Sequence, residues 1–177
     1  VGSYITYSTT NNQSNKSGQA ALFNGTNTYA YTDNITVGDN FTIAFWIKPD
    51  SSNMGQYASV MSTGNNNTSD GRFQIDYINN EIRFNRQGIE LRADLNSNQW
   101  NHIVITKSDN STDDKTVRMY TGGSLRDNAS GVNTHWEKIK IGSNRGDDSY
   151  WVGYIDEVKI YNRTFSAQEV LDLYECY

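Results

Sequence analysis

Cysteine, proline, histidine and long apolar runs are nearly missing from this 177-residue chain. Its single cysteine, Cys176, excludes an internal disulfide and is either a free thiol or paired outside this chain. The two histidines, His102 and His135, have no HExxH context for a hydrolytic zinc, and no glycine loop suited to phosphate is present. No stretch stays apolar for long enough to cross a bilayer, so membrane insertion is not expected. The chain opens on Val1 without the charged-then-apolar pattern of a leader, as expected of a mature product or a piece of a larger protein. Basic excess is missing too. Fifteen Lys and Arg face 20 Asp and Glu, a net charge of -5 with no basic run. That balance argues against nucleic acid or an anionic lipid surface as partner.

What is present points to strands. Aromatics make up 12% of the residues, too rich for a disordered acidic chain. The polar surplus is Asn, Ser, Thr and Gly, the residues of turns. The length suits one domain, and no repeat or linker divides it. Short alternating runs recur between polar clusters. The clearest is Phe41 to Lys48, where Phe41, Ile43, Phe45 and Ile47 share one face and Pro49 ends the run. Further strands are predicted at Ala58 to Ser62, Phe73 to Tyr77, Ile82 to Phe84, His102 to Lys107, Val117 to Tyr120 and Lys138 to Ile141. One helix stands out: Ser166-Ala-Gln-Glu169 forms a capping box, followed by Val170, Leu173 and Tyr174 on one face.

Three segments together resemble the laminin-G-like, concanavalin-A-like lectin superfamily. They are Ala21-Leu-Phe-Asn-Gly-Thr-Asn-Thr-Tyr29, the Phe41 to Pro49 run with Trp100-Asn-His-Ile-Val-Ile-Thr106, and Gly153 to Arg163 leading into Phe165-Ser-Ala-Gln-Glu-Val170. The resemblance runs from about Ala21 to Tyr174. It implies a single domain over residues 1–177, all-β, a two-sheet antiparallel jelly-roll sandwich with a short C-terminal helix. This fold hosts lectins, glycosidases, adhesion modules and spacers alike, so function has to be read from the site.

No catalytic pattern emerges. Laminarinase-like glycosidases on this fold carry carboxylates alternating along one strand, which puts them on one sheet face as acid and nucleophile. Here Asp156 and Glu157 are adjacent and point oppositely, while Asp76 and Glu81 have no alternating partner. The chain is therefore expected not to be an enzyme. Calcium is the expected cofactor. Related modules hold a structural Ca²⁺ between the matching glycine turn and Asp, and the resemblance carries that role to Asn24, Asn27 and Asp156. Asn24 stands where many relatives have Asp, a weaker ligand for a hard cation. The plainer alternative is that Asn24 and Asn27 make side-chain turns while Asp156 bonds backbone amides. The acidic loop of Asp109, Asp113 and Asp114 lacks the spacing and glycine of an EF-hand. A bulge near Asp156 would keep Ile155 in the core and re-aim the carboxylate.

Ligand-binding candidates come from the loops. Tyr57, Trp136, Tyr150 and Trp151 fall in or beside loops with Arg145, Asp147 and Asp148, rings to stack a sugar and polar groups to bond its hydroxyls. Trp46 and Trp100 lie in or at strands and are assigned to the sandwich. Arg145-Gly146-Asp147 matches the tripeptide integrins read, but so short a motif arises by chance. Asn-x-Ser/Thr acceptor patterns recur from Asn12 to Asn162, the mark of a hydrated surface. The expectation is a non-catalytic, calcium-stabilised, extracellular or cell-surface module that binds a glycan or cell-surface ligand, with neutral saccharides favoured by the negative charge. The alternative is a structural domain of a larger surface assembly, joined to other domains of a longer chain.

Overall fold

The computed structural model describes residues 6–8, 19–32, 35, 37–63, 72–110, 113–134 and 138–177. Thirteen strands and one helix appear there. They are β1 (Thr6–Ser8), β2 (Ala20–Asn24), β3 (Ala30–Thr32), β4 (Phe41–Pro49), β5 (Ser59–Thr63), β6 (Gln74–Ile78), β7 (Glu81–Arg86), β8 (Ile89–Asp94), β9 (Asn101–Asn110), β10 (Asp113–Thr121), β11 (Ser124–Ala129), β12 (Ile139–Ile141), β13 (Val152–Tyr161) and α1 (Ala167–Glu175). All named pairings are antiparallel, in a seven-stranded sheet of order β1-β2-β13-β4-β9-β10-β11 and a six-stranded sheet of order β3-β12-β5-β6-β7-β8. The chain is a β-sandwich with one short helix, as the alternating runs predicted.

Period-two alternation fills the space between the sheets. Phe41, Ile43, Phe45 and Ile47 of β4 meet Ile75, Phe84 and Leu91 of the facing sheet, all fully buried. Each such side chain contributes on the order of 1.5–3 kcal/mol by leaving water. The other face of β4 is not solvated. Ala44 joins Val104, Tyr120, Phe165 and Val170 in a second cluster beneath α1. The capping box that starts α1 is formed: Glu169 N–H donates to Ser166 Oγ at 3.2 Å and Ser166 N–H to Glu169 Oε2 at 2.8 Å. Hence β4 reads as buried on both faces.

Two irregularities matter for the sites. Register slips between Asp156 and Lys159 of β13, where Glu157 takes φ 50°, so the expected bulge exists and Ile155 stays buried. Gly153, at φ 120°, lies so close to β4 that an added Cβ would sit 2.2 Å from the Lys48 carbonyl oxygen. Lys107 of β9 is wholly buried. Its ammonium donates to the Asp39 carbonyl at 2.8 Å, with the Asp39 and Asp109 carboxylates 3.9 and 3.8 Å away.

Candidate functional site

Two-residue turns organise the outer face of the six-stranded sheet. Asn79 and Asn80 (φ 51° and 67°) join β6 to β7, and Gln87 and Gly88 (φ 46° and 87°) join β7 to β8. Positive φ at both central positions is the type I′ geometry that matches hairpin twist. Counting back from these turns places Asp76 opposite Arg83 and Arg83 opposite Arg92, with Gln74, Asn85 and Glu90 in the adjacent row. Alternation sends Ile75, Ile82, Phe84 and Leu91 inward and leaves the polar groups together outside.

These groups form one charge lattice. Arg83 grips the fully buried Asp76 with two parallel bonds, Nε to Oδ1 at 2.9 Å and Nη2 to Oδ2 at 2.8 Å. Its Nη1 reaches Glu90 Oε1 at 2.6 Å. Gln74 Nε2 donates to Asp76 Oδ2 at 2.9 Å, and Asn85 Nδ2 to Glu90 Oε1 at 2.9 Å. Arg92 ties Glu90 to Glu81 at 2.6 and 3.1 Å. Burial pushes the Asp76 carboxyl up, while the bonds from Arg83 and Gln74 pull against that rise. The bond to Asp76 is the chief stabiliser of the Arg83 charge. Bidentate geometry of this kind holds planes as well as charges in place.

Above the lattice opens a cleft of about 310 Å³, lined by Tyr57, Arg72, Gln74, Asp76, Arg83, Asn85, Gln87, Asn144, Arg145 and Ser149. Tyr57 takes φ 65°, is 45% exposed, and stands with its ring 5.0 Å from the Arg83 guanidinium carbon. The facing wall is a self-braced loop. Asn144 Oδ1 accepts from Gly146 N–H at 2.8 Å and Asp148 N–H at 3.2 Å. Arg145 folds inward and donates to the Thr63 and Phe73 carbonyls, each at 3.3 Å. Burial, then the like charge of Arg72, holds the Arg145 pKa below its ordinary value. An exposed ring beside fixed guanidinium and carboxamide groups can stack a planar face while bonding its hydroxyls.

The sequence profile of a laminin-G-type family, described as the concanavalin A-like lectin/glucanases superfamily, matches residues 24–171. The chain belongs to that superfamily. No curated protein sequence matches it. Among solved structures, domain 4 of AbnA, a GH43 extracellular arabinanase from Geobacillus stearothermophilus, in complex with arabinotriose, aligns at TM-score 0.72 and 18% identity, over 97% of this chain and 82% of that one. The botulinum neurotoxin type G receptor binding domain aligns at TM-score 0.70 and 20% identity, over 99% of this chain and 45% of that chain. A heptameric SAP-like pentraxin from Limulus polyphemus aligns at TM-score 0.67 and 14% identity, over 88% and 81%. At these identities the likeness is one of fold, the lectin-like jelly roll.

In this lectin-like frame, two of the loop candidates meet and others do not. Tyr57 and Arg145 line the same cleft. Asp147 and Asp148 do not: Asp147 pairs with Lys140 at 2.5 Å, and Asp148 accepts from Asn144 and Ser149 within its own loop. Arg145 is turned in while Gly146 and Asp147 stay at the surface, Asp147 paired with Lys140, so the Arg and Asp side chains of the tripeptide do not project together. Tyr150 bridges Ser59 beside the cleft without lining it. Trp151 is a correction, since it is 0% exposed and packs in the main core rather than offering a ring to a ligand. Trp136 lies outside the described residues.

The calcium ligands are also not brought together. Asn24 pairs with Val152, whereas Asp156 lies four residues further along β13, about 13 Å away at strand rise. Asn24 Oδ1 already accepts the N–H groups of Thr26, Asn27 and Thr28 at 3.0, 3.1 and 3.3 Å, and its Nδ2 donates to Asn27 Oδ1 at 2.8 Å. Asp156 Oδ1 accepts the Glu157 N–H at 2.8 Å. Burial raises the Asp156 pKa. Among the described residues no three acidic, His or Cys groups gather to hold a metal. The residues present thus do not fit a shared Ca²⁺, and the side-chain turn is what Asn24 and Asn27 make. Sequence reasoning missed Gln74, Asp76, Arg83 and Asn85. The signal was there in the Asn-Asn and Gln-Gly pairs, which set the register that assembles them.

Proposed function

We propose that this chain is a non-catalytic carbohydrate-binding module of the cell surface or extracellular space, with its site in the Tyr57–Arg83 cleft. The observation that carries the reading is Tyr57, an exposed ring held against Arg83 and surrounded by Gln74, Asn85 and Asn144. Both acids beneath it are bound to Arg83, so neither is free to protonate a leaving group or attack a sugar. A solved relative that holds arabinotriose supports saccharide as the ligand class on this fold. The overall charge of -5 favoured neutral sugars, but Arg72 and Arg145 reverse the balance at one end of the cleft. A saccharide bearing a carboxylate binds there more tightly than its neutral counterpart.

The test is a glycan array followed by titration calorimetry on the best acidic and neutral hits. An open cleft of this size gives a Kd between about 1 mM and 1 μM, strong enough for adhesion only in several copies. Tyr57→Ala weakens binding at least about tenfold, roughly 1.4 kcal/mol, and Tyr57→Phe keeps most of it. Failure of every glycan to bind hands the chain to the alternative, a structural domain of a larger surface assembly.

A further inference from the structure

A second cleft, of about 260 Å³, has its floor on the outer face of the seven-stranded sheet, away from the Tyr57 cleft, and takes part of its rim from the end of β8. Its floor is aromatic. Trp46 of β4 and His102 of β9 stand opposite each other in register, with ring centroids 4.8 Å apart. Tyr174 of α1 stacks on both, at 5.9 and 5.6 Å. Glycine sets that helix ring. The β10–β11 turn brings Gly123, at φ 75°, against Tyr174, where a Cβ would meet ring carbon Cδ1 at 3.2 Å. Trp100, half-buried and tilted against Tyr154 at 6.2 Å, forms the wall.

The rim is polar, and its groups are uncommitted. Asp94, at the end of β8, has no ion pair or side-chain hydrogen bond among the described residues. The Asn96 carboxamide has none either, its loop being held through backbone atoms by Asn101 at 2.8 and 3.0 Å. Arg126 of the edge strand β11 is exposed and donates through Nε to Thr121 Oγ1 at 2.7 Å, and neither terminal nitrogen has a partner among the described residues. In the Tyr57 cleft, by contrast, Arg83, Asp76 and Glu90 are bound to one another. Below the rim, Trp46 and His102 are 8% and 3% exposed, and the Trp46 Nε1 and His102 Nδ1 atoms have no partner among the described residues.

The exposed Tyr174 ring over the buried Trp46–His102 pair, the half-buried Trp100 indole and an uncommitted carboxylate, carboxamide and guanidinium form the recognition set of a sugar ring: apolar C–H faces against Tyr174 and Trp100, hydroxyls against the rim. The cleft lies just below the volume range of drug-sized sites, which suits one or two rings. We infer that the Trp46–Trp100–Tyr174 cleft is a second saccharide site, for an uncharged sugar unit, on the sheet opposite the first. Asp94 and Arg126 carry opposite charges, so the rim offers no net reward to an acidic sugar. Two sites on two sheets let one copy of the chain bridge two glycan strands. The inference does not depend on the Tyr57 cleft being occupied.

The test uses ¹⁵N-labelled protein titrated to 10 mM with maltotriose, laminaritriose, galactotriose and arabinotriose, following the indole N–H resonances assigned through Trp46→Phe and Trp100→Ala. At least one trisaccharide moves the Trp46 and Trp100 signals saturably. Arg126→Ala and Asp94→Asn, both surface changes, each weaken that response at least fivefold at unchanged melting temperature, while Tyr57→Ala leaves it intact. If none of the four moves these indoles, or if the shifts survive Arg126→Ala and Asp94→Asn undiminished, the second site is wrong. Either outcome leaves Tyr57-dependent binding to stand or fall by itself.

Discussion

His102 makes a sharp pH prediction. Burial, with a smaller push from the Lys159 charge, holds its imidazole down at about 4. The ring is packed by Trp46, Tyr174 and Tyr177, and the charge that acts on it, Lys159, is a cation, so protonation gains no partner there. In the unfolded chain the same imidazole titrates near its ordinary value of about 6.5. As pH falls through that value the unfolded state takes up a proton that the folded state refuses. Stability therefore drops progressively below pH 6.5, and the loss is complete near pH 4. The gap between about 6.5 and about 4, at roughly 1.4 kcal/mol per pH unit, sets a total near 3 kcal/mol, of which about 2 kcal/mol is lost between pH 7 and 5. For a chain of this size that equals about 4–8 °C in melting temperature. The assay compares melts of wild type and His102→Gln at pH 7 and 5. Every other ionisable group is common to both proteins, so its contribution cancels, and the wild type falls further by that margin. An identical fall in the two proteins, or an NMR titration of His102 centred above pH 6, refutes the reasoning.

Asp76→Ala takes two buried bonds from Arg83, leaving it Glu90 alone in the lattice, and costs about 3–5 kcal/mol by urea denaturation, whereas Asp76→Leu with Arg83→Met recovers most of it; equal losses in both would mean the pair is not the cause. Gly153→Ala has no room, with the Lys48 carbonyl 2.2 Å and the Asp50 nitrogen 2.9 Å from the new Cβ, so soluble yield collapses or the melting temperature drops by more than about 8 °C. Asn24→Ala removes the acceptor of three backbone N–H groups and costs about 1–2 kcal/mol with or without calcium. Excess chelator shifts the wild-type melting temperature by less than about 1 °C, and a fall of several degrees would show that ligands outside Asn24, Asn27 and Asp156 complete a metal site.

Strands buried on at least one face were legible in the sequence, because Phe41 to Ile47 or Ile103 to Ile105 can only alternate into a core. The capping box at Ser166 and Glu169 was equally readable, since it involves neighbours three residues apart. Edge strands were not. β8 and β11 each pair on one side and carry Glu90, Arg92, Arg126 and Asp127, charges that protect an open edge and erase the hydrophobic signature. The candidate site was half legible. Tyr57 and Arg145 show themselves as loop residues, but Gln74, Asp76 and Arg83 become a constellation only when strands pair, and Asp76 taken alone had no partner. Trp151 misled for the reverse reason: the polar run Asn144 to Ser149 just before it conceals an inward turn that only its place in the core with Phe23 and Ile155 discloses.

The buried Lys107 has a practical consequence for chemistry done on the protein. Its amine is sealed beneath Asp39 and Asp109 and fixed to a carbonyl in a central strand, so amine-reactive reagents cannot reach it while the sandwich is closed. Lysines at the surface acylate at the pace of the reagent. Lys107 acylates at the pace at which β9 parts from its neighbours, which ties its labelling to whole-molecule opening rather than to local fraying. Mass spectrometry of one tryptic site, followed over time in a gentle acylating reagent, then becomes a clock for the sandwich coming apart, read without denaturant and in mixtures where no spectroscopic signal is clean.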